Sequence, residues 1–257
     1  MKFRFAYSTD VGIRKKTNQD SLCISEASTP QGDVIMAAVC DGMGGLIKGE
    51  LASKTIIEAL ESWFAEQLPE ILRKSDPAEE ALNSWYELIC RENERILSYG
   101  KRYSIQLGST VTAVMIFPDG RLAMAHVGDS RLYRLTDSDI TQLTEDQTFV
   151  AREIAAGRMT PEEAENDPRK NVLLQCVGAT EKTLPQFLIS EAKAGESYLL
   201  CSDGFRHKIS EDEMRGLLSP RFCISEDKMR EGLTKLIELN MKRRESDNIT
   251  ALLVNTI

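Results

Sequence analysis

The chain has 257 residues, 42% of them hydrophobic and 6% aromatic, enough to bury a sizeable core in a single domain spanning 1–257. Its 40 acidic against 32 basic residues leave a net charge of −8, which argues against nucleic acid or an anionic membrane as partner. Only two histidines, His126 and His207, are present, and six scattered cysteines form no CxxC pair, so zinc sites, disulfide frameworks and histidine-centred triads have little to build on.

Taken in chain order, β-branched and apolar runs bounded by Gly, Asp and Pro predict strands near 3–9, 20–26, 33–40, 109–117, 121–127, 131–135, 197–201 and 249–255. Two long amphipathic helices fall consecutively after the third strand. "GELASKTIIEALESWFAEQL" repeats Leu51, Thr55, Ile56, Ala59, Leu60, Trp63 and Phe64 at helical spacing, and "PAEEALNSWYELICRENERIL" does so through Leu82, Trp85, Ile89 and Ile96. Shorter helices are expected in "TEDQTFVAREIAAG", in "TPEEAENDP", where Thr160 caps and Pro161 opens the first turn, and in "EDKMREGLTKLIELNMKRR". Strands gathered at both ends of the chain, with two helices in succession, favour a layered α+β fold with antiparallel sheets over a βαβ repeat. The start lacks the apolar stretch of a signal peptide, and no run reaches the roughly 18 apolar residues of a membrane span, so a cytoplasmic monomer is expected.

Three of the strand-like runs deliver an aspartate at their end: "VIMAAVCDG" at Asp41, "RLAMAHVGDS" at Asp129 and "ESYLLCSDG" at Asp203. A fourth, Asp247, opens the run "SDNITALLV". Any one Asp-Gly reads first as a turn, since the side chain bonds its own backbone and glycine tolerates positive φ. Carboxylates at the rims of rigid strands repel one another if they converge, and then call for cations. Cys40 and Cys201, inside the same runs, read as small buried hydrophobes.

Eight stretches together resemble one family, the metal-dependent protein phosphatases of the 2C type, in their bacterial form. In order they are "TDVGIRKKTNQDS", "CDGMGGLIKGELAS", "GSTVTAVMI", "AHVGDSRLYRL", "LTEDQT", "GRMTPEEAENDPRKNVLLQCVGA", "LLCSDGF" and "SDNITALLV", spanning residues 9–255. The resemblance implies a central β-sandwich of two mainly antiparallel sheets flanked by pairs of helices, in four layers. It implies two tightly bound Mg²⁺ or Mn²⁺ ions at one end of the sandwich. Asp41 then matches the carboxylate shared by both ions, Gly42 a carbonyl ligand, Asp203 and Asp247 further ligands, and Asp20 an acid holding metal-bound water. Asp129, with Asp203, matches the pair that takes a third, weaker ion. An all-oxygen donor set independently suits such hard cations. The segment at about 147–180 resembles the family's mobile flap.

The chain departs from the family pattern at several positions. The phosphate-clamping arginine falls, counted from Gly12, on Lys15, with Arg14 beside it; an ammonium holds phosphate only as a point charge. Gln19 stands for a glutamate, and Met43 for the histidine that animal members use as an acid. Leu46 and Gln147 stand for histidines, Asp167 for a His-Pro pair, and His207 for an acidic residue. His126 reads as a partly buried, hydrogen-bonded residue and His207 as a surface loop residue. The expected function is dephosphorylation of phosphoserine and phosphothreonine in proteins, opposing a Ser/Thr kinase. The alternatives are a phosphatase-like binding module with little turnover, and a hydrolase of small phosphate esters.

Overall fold

The computed structural model describes residues 1–43 and 48–257, so the expectation attached to Leu46 lies outside the described residues. Strands β1 (Phe3–Asp10), β2 (Asp20–Thr29), β3 (Gly32–Met43), β4 (Gly108–Ser109), β5 (Val111–Ile116), β6 (Arg121–Val127), β7 (Arg131–Leu135), β8 (Ile140–Gln142), β9 (Gln186–Glu191), β10 (Ser197–Cys201) and β11 (Ile249–Thr256) form two sheets. One has the order β1-β11-β10-β7-β8; the other runs β2-β3-β5-β6-β9, with β4 against the end of β3. Neighbouring strands are antiparallel throughout.

The helices are α1 (Gly49–Ile71), α2 (Pro77–Tyr103), α3 (Phe149–Ala155), α4 (Pro161–Asn166), α5 (Asp203–Arg206), α6 (Glu211–Leu218) and α7 (Glu226–Lys242). Strand β3 shows why the apolar runs are continuous. Its Val34, Met36, Ala38 and Cys40 pack under α1 and α2, whereas Ile35, Ala37 and Val39 meet Leu200, Leu252 and Val254 of the facing sheet. Strand β11 repeats the division, with Ile249, Ala251 and Leu253 turned toward Leu233, Leu236 and Ile237 of α7. Side chains alternate across a strand, so a strand buried on both faces is apolar at every position. Three apolar layers therefore separate four layers of structure, as expected. Trp63 and Trp85 meet edge to face at 5.4 Å between α1 and α2.

Several elements differ from expectation. Strand β9 is an edge strand that alternates half-buried and exposed residues, and β8 has only three residues, so neither carries an apolar run. Helix α6 is rich in charge and buries only Met214 and Leu218. Helix α3 starts at Phe149, not near Thr144, because the Thr148 side chain accepts the Ala151 amide and caps it there. Thr160 caps α4 with Glu163 returning the bond and Pro161 in the first turn, as predicted. Among the described residues no helix is long and apolar enough to cross a membrane.

Candidate metal centre

Sheet geometry brings the acidic residues together. Asp41, near the end of β3, lies directly opposite Asp20 at the start of β2. Asp203 opens α5 immediately after β10, and Asp247 stands just before β11, β10's neighbour in the other sheet. Asp129 lies between β6 and β7, where the chain crosses from one sheet to the other. The carboxyls lie close enough to act on one another. Burial, then the charges of Asp20, Asp203, Asp129 and Asp247, hold the Asp41 carboxyl well above the usual range. Burial, with repulsion from Asp203 and Asp247, pushes Asp20 up to about 7 against the opposing influence of the Thr250 and Ser202 hydroxyls. Asp129 rises to about 7 through burial and the charge of Asp203.

The backbone that carries these groups is fixed by residues that sequence reasoning did not single out. The Asp41 amide donates to Thr110 Oγ1 at 2.8 Å, and its carbonyl accepts from the Thr110 amide and from Ser109 Oγ, each at 2.9 Å. Ser202 Oγ donates to Asp20 Oδ2 at 2.9 Å. Asn248, 3% exposed, accepts from the Gln19 amide at 2.9 Å and donates to the carbonyls of Val11 and Thr17 at 3.0 and 3.1 Å, tying the loop after β1 to the start of β11. In that loop Gly12 has φ +75°, and a Cβ there would collide with the Asp247 carbonyl. A Cβ on Gly42 would likewise strike the Gly49 carbonyl, so only glycine lets β3 and α1 approach this closely. Gly42, Ser202 and Asn248 each stand in a quoted motif beside an aspartate, which is the signal that could have found them, whereas Ser109 and Thr110 stand in a motif with no acidic residue.

Two cations reach the acidic row from opposite sides. Lys15 Nζ lies 2.7 Å from Asp247 Oδ1, both side chains being more than one-third exposed; Arg14 beside it is exposed. On the other side Arg206 Nη2 donates to the Asp129 carbonyl at 3.0 Å and lies 3.5 Å from both Asp129 Oδ2 and Asp146 Oδ2. His207 is not a free loop residue, which corrects the expectation. It ends α5, with Nε2 3.5 Å from Asp203 Oδ2 and Nδ1 3.6 Å from Glu245 Oε2, because the one-turn helix folds it back over its own first residue. His126 is fully buried, more so than expected; Nδ1 is 2.9 Å from Thr112 Oγ1 and Nε2 is 3.0 Å from the Gly128 carbonyl. Gln147 brackets the same glycine, its side-chain oxygen accepting the Gly128 amide at 2.9 Å. Asp167 stands apart, paired with Arg169 at 2.8 Å beyond α4.

The donor set fits hard divalent ions in chemistry and charge. Among the described residues Asp20 Oδ1 and Asp203 Oδ1 are buried without a hydrogen-bond partner, and mutually repelling carboxylates around them gain by ionising against a cation. Among the described residues no three His, Cys, Asp or Glu side chains are grouped, as they stand, to hold one ion. At Asp247 the nearest cation is instead Lys15.

A sequence model of the protein phosphatase 2C family matches residues 13–238. The chain belongs to that family. It is 32% identical over 257 residues to the serine/threonine protein phosphatase PstP of Mycobacterium tuberculosis, an alignment covering 99% of this chain but 45% of that protein. It thus spans less than half the length of that relative. Protein phosphatase PhpP of Streptococcus pneumoniae is 29% identical over 248 residues, covering 96% and 95% of the two chains. The solved S. agalactiae serine/threonine phosphatase superposes with a TM-score of 0.86 at 29% identity over the whole of both chains. The PstP catalytic domain in complex with two manganese ions does so with a TM-score of 0.78 at 30% identity, covering 98% and 97%. This family member therefore shares the fold of a solved two-manganese phosphatase domain along nearly its whole length.

Proposed function

We propose that the protein is a Mg²⁺- or Mn²⁺-dependent phosphatase that hydrolyses phosphoserine and phosphothreonine in proteins. The observation that carries this reading is the convergence of Asp20, Asp41, Asp129, Asp203 and Asp247 at one end of the sandwich, with two buried carboxylate oxygens lacking a partner among the described residues. A domain free of catalysis gains nothing from keeping such repulsion. Asp41, the Gly42 carbonyl, Asp203 and Asp247 would hold two ions. When bound, these supply a more acidic water and offset the charge of the phosphoryl group during in-line displacement.

The protein's own residues orient the remainder. The free Oδ1 of Asp20 supports a role as hydrogen-bond acceptor for water, with Ser202 fixing the other oxygen at 2.9 Å. Lys15 is the cation suited to meet the substrate dianion, since its ammonium already lies among Asp247, Asp41 and Asp203. Met43 offers no proton, so protonation of the leaving oxygen falls to water. The segment carrying α3 and α4 is the flap of this reading. It is rooted on α2 through Asn93, which accepts the Gly178 amide at 2.6 Å and donates to the Thr180 carbonyl at 3.0 Å. Cytoplasmic phosphoproteins modified by a Ser/Thr kinase are the implied substrates, and the protein acts as a monomer.

The contact of Lys15 with Asp247 favours a second reading, a phosphatase-like module with little turnover. Turnover of a phosphothreonine peptide and of a small aryl phosphate, each with and without Mn²⁺, separates the cases. Mn²⁺-dependent release of phosphate from the peptide supports the proposal. Preference for the aryl ester alone would make the protein a small-ester hydrolase, and no turnover with any divalent ion would leave the module.

A further inference from the structure

The expected third ion meets an obstacle at Asp129. The guanidinium of Arg206 already occupies the space beside that carboxylate, with Nη2 3.0 Å from the Asp129 carbonyl and 3.5 Å from Oδ2. It also lies 3.5 Å from Asp146 Oδ2, and its side chain is only 13% exposed. Asp146 is in turn gripped by a fork, Arg131 Nε and Nη2 donating to its two oxygens at 2.8 and 2.6 Å. Two carboxylates and two guanidiniums thus stand in one network.

The backbone that carries Arg206 is anchored as well. Arg206 follows Phe205, which is fully buried and whose carbonyl accepts from Asn240 Nδ2 of α7 at 2.7 Å. The backbone under Arg206 is therefore pinned to the helical layer, unlike a long cation rising from a loop. A divalent ion at Asp129 Oδ2 would sit a few ångström from a fixed positive charge, in a poorly solvated place where like charges repel strongly. The carboxylate that a third ion would need already has a guanidinium beside it.

We propose that Arg206 is a resident cation that takes the place of a third metal ion at Asp129, so that the protein binds two divalent ions and carries the third positive charge in its own chain. Arg206 is then a positioning residue, acting through Asp129 and not on substrate. The charge on this side of the site becomes independent of metal concentration. The count of two rests on the proposed phosphatase centre, but the role of Arg206 at Asp129 is tested separately.

The test is Mn²⁺ stoichiometry on the full chain, by titration calorimetry and by anomalous scattering from crystals grown with Mn²⁺. Wild type should bind two ions, Arg206→Gln a further, weaker one, and Arg206→Lys two again. Adding Asp129→Asn to Arg206→Gln should remove the extra ion, and Asp129→Asn alone should leave the wild-type count unchanged. A third ion in wild type that disappears with Asp129→Asn, or no additional ion in a folded Arg206→Gln protein, overturns the proposal. Near-ultraviolet circular dichroism establishes folding, and Arg206→Thr serves if the glutamine variant fails to fold. If wild type binds no tight ion the two-ion reading falls, whereas an ion gained in Arg206→Gln and lost with Asp129→Asn still upholds the role of Arg206.

Discussion

The two flanks of the acidic row are neutralised in opposite ways. At Asp247 the cation is Lys15, a flexible ammonium 41% exposed, on a loop held to the sandwich by Asn248. At Asp129 it is Arg206, 13% exposed and set among three oxygens on a helix turn anchored from behind. The first pair is weak, because both members are solvated and the lysine stem has many alternative rotamers. The second is largely buried and shares Asp146 with the bidentate Arg131. A cation that can leave suits a place where ions and phosphate must come and go. One that cannot leave suits a place whose charge is permanent.

The largest expected effect lies between the flanks. Asp41→Asn, Asp203→Asn or Asp247→Asn should each lower Mn²⁺-dependent turnover by about 10³-fold or more, because a ligand charge is lost while the side-chain volume is kept. The metal-free Asp41→Asn protein should melt higher than metal-free wild type, since burial and four neighbouring acids disfavour the Asp41 carboxylate. Calorimetric melting with and without Mn²⁺ checks both signs. Near-normal turnover in any of the three, or a lower melting point for metal-free Asp41→Asn, would break the account of this site.

The fixed flank is fixed further back by His126, which gives it a pH dependence. Burial lowers the His126 pKa to about 4, against the raising influence of Asp146 and of the Gly128 and Glu145 carbonyls. A base whose folded pKa lies below its unfolded value of about 6.5 contributes stability that is fully present above 6.5. That stability is lost as pH falls toward 4, by an amount on the order of 3 kcal/mol. Asp20, Asp41 and Asp129, whose carboxyls are held high, contribute in the opposite direction as pH falls, but they do so in both proteins. Wild type should therefore lose stability relative to His126→Gln, which has no ring to protonate, over this window. Denaturant unfolding at a series of pH values between 7 and 4 measures the difference. Equal slopes would mean that the imidazole is not the acid-sensitive group.

What could be read from the sequence follows the range of the interactions. Strand ends bearing Asp41, Asp129 and Asp203 were legible because a buried strand and the residue after it are local, and α1 and α2 because long helices repeat their apolar face many times. Strand β9 was not, since an edge strand half open to water has no continuous apolar signature. The partners of the acidic row were hidden for another reason. Arg206 reaches an aspartate 77 positions earlier, and Asn248 a carbonyl 237 positions away. The stretch "SDGFRH" announces two basic residues beside Asp203 but not that one turns to Asp129 while the other bridges Asp203 and Glu245.

The smallest effects belong to the loose flank and test whether it is loose. Lys15→Met removes a cation that competes with metal at Asp247, and an exposed pair of this kind contributes about 0.2–1 kcal/mol. Mn²⁺ affinity should therefore rise by roughly 1.4- to fivefold, with no change in the number of ions bound. The KM for a phosphothreonine peptide should move the other way, rising because the ammonium that meets the dianion is gone. Lys15→Arg should lower that KM, since a guanidinium can pair two phosphate oxygens at once. Arg14→Ala should change neither quantity beyond a mild shift that salt abolishes, because Arg14 is exposed and well solvated. Calorimetry and peptide kinetics at low and moderate salt read all three variants. If Arg14→Ala raises KM more than Lys15→Met does, the loop presents Arg14 to phosphate and Lys15 serves only to hold Asp247 until metal arrives.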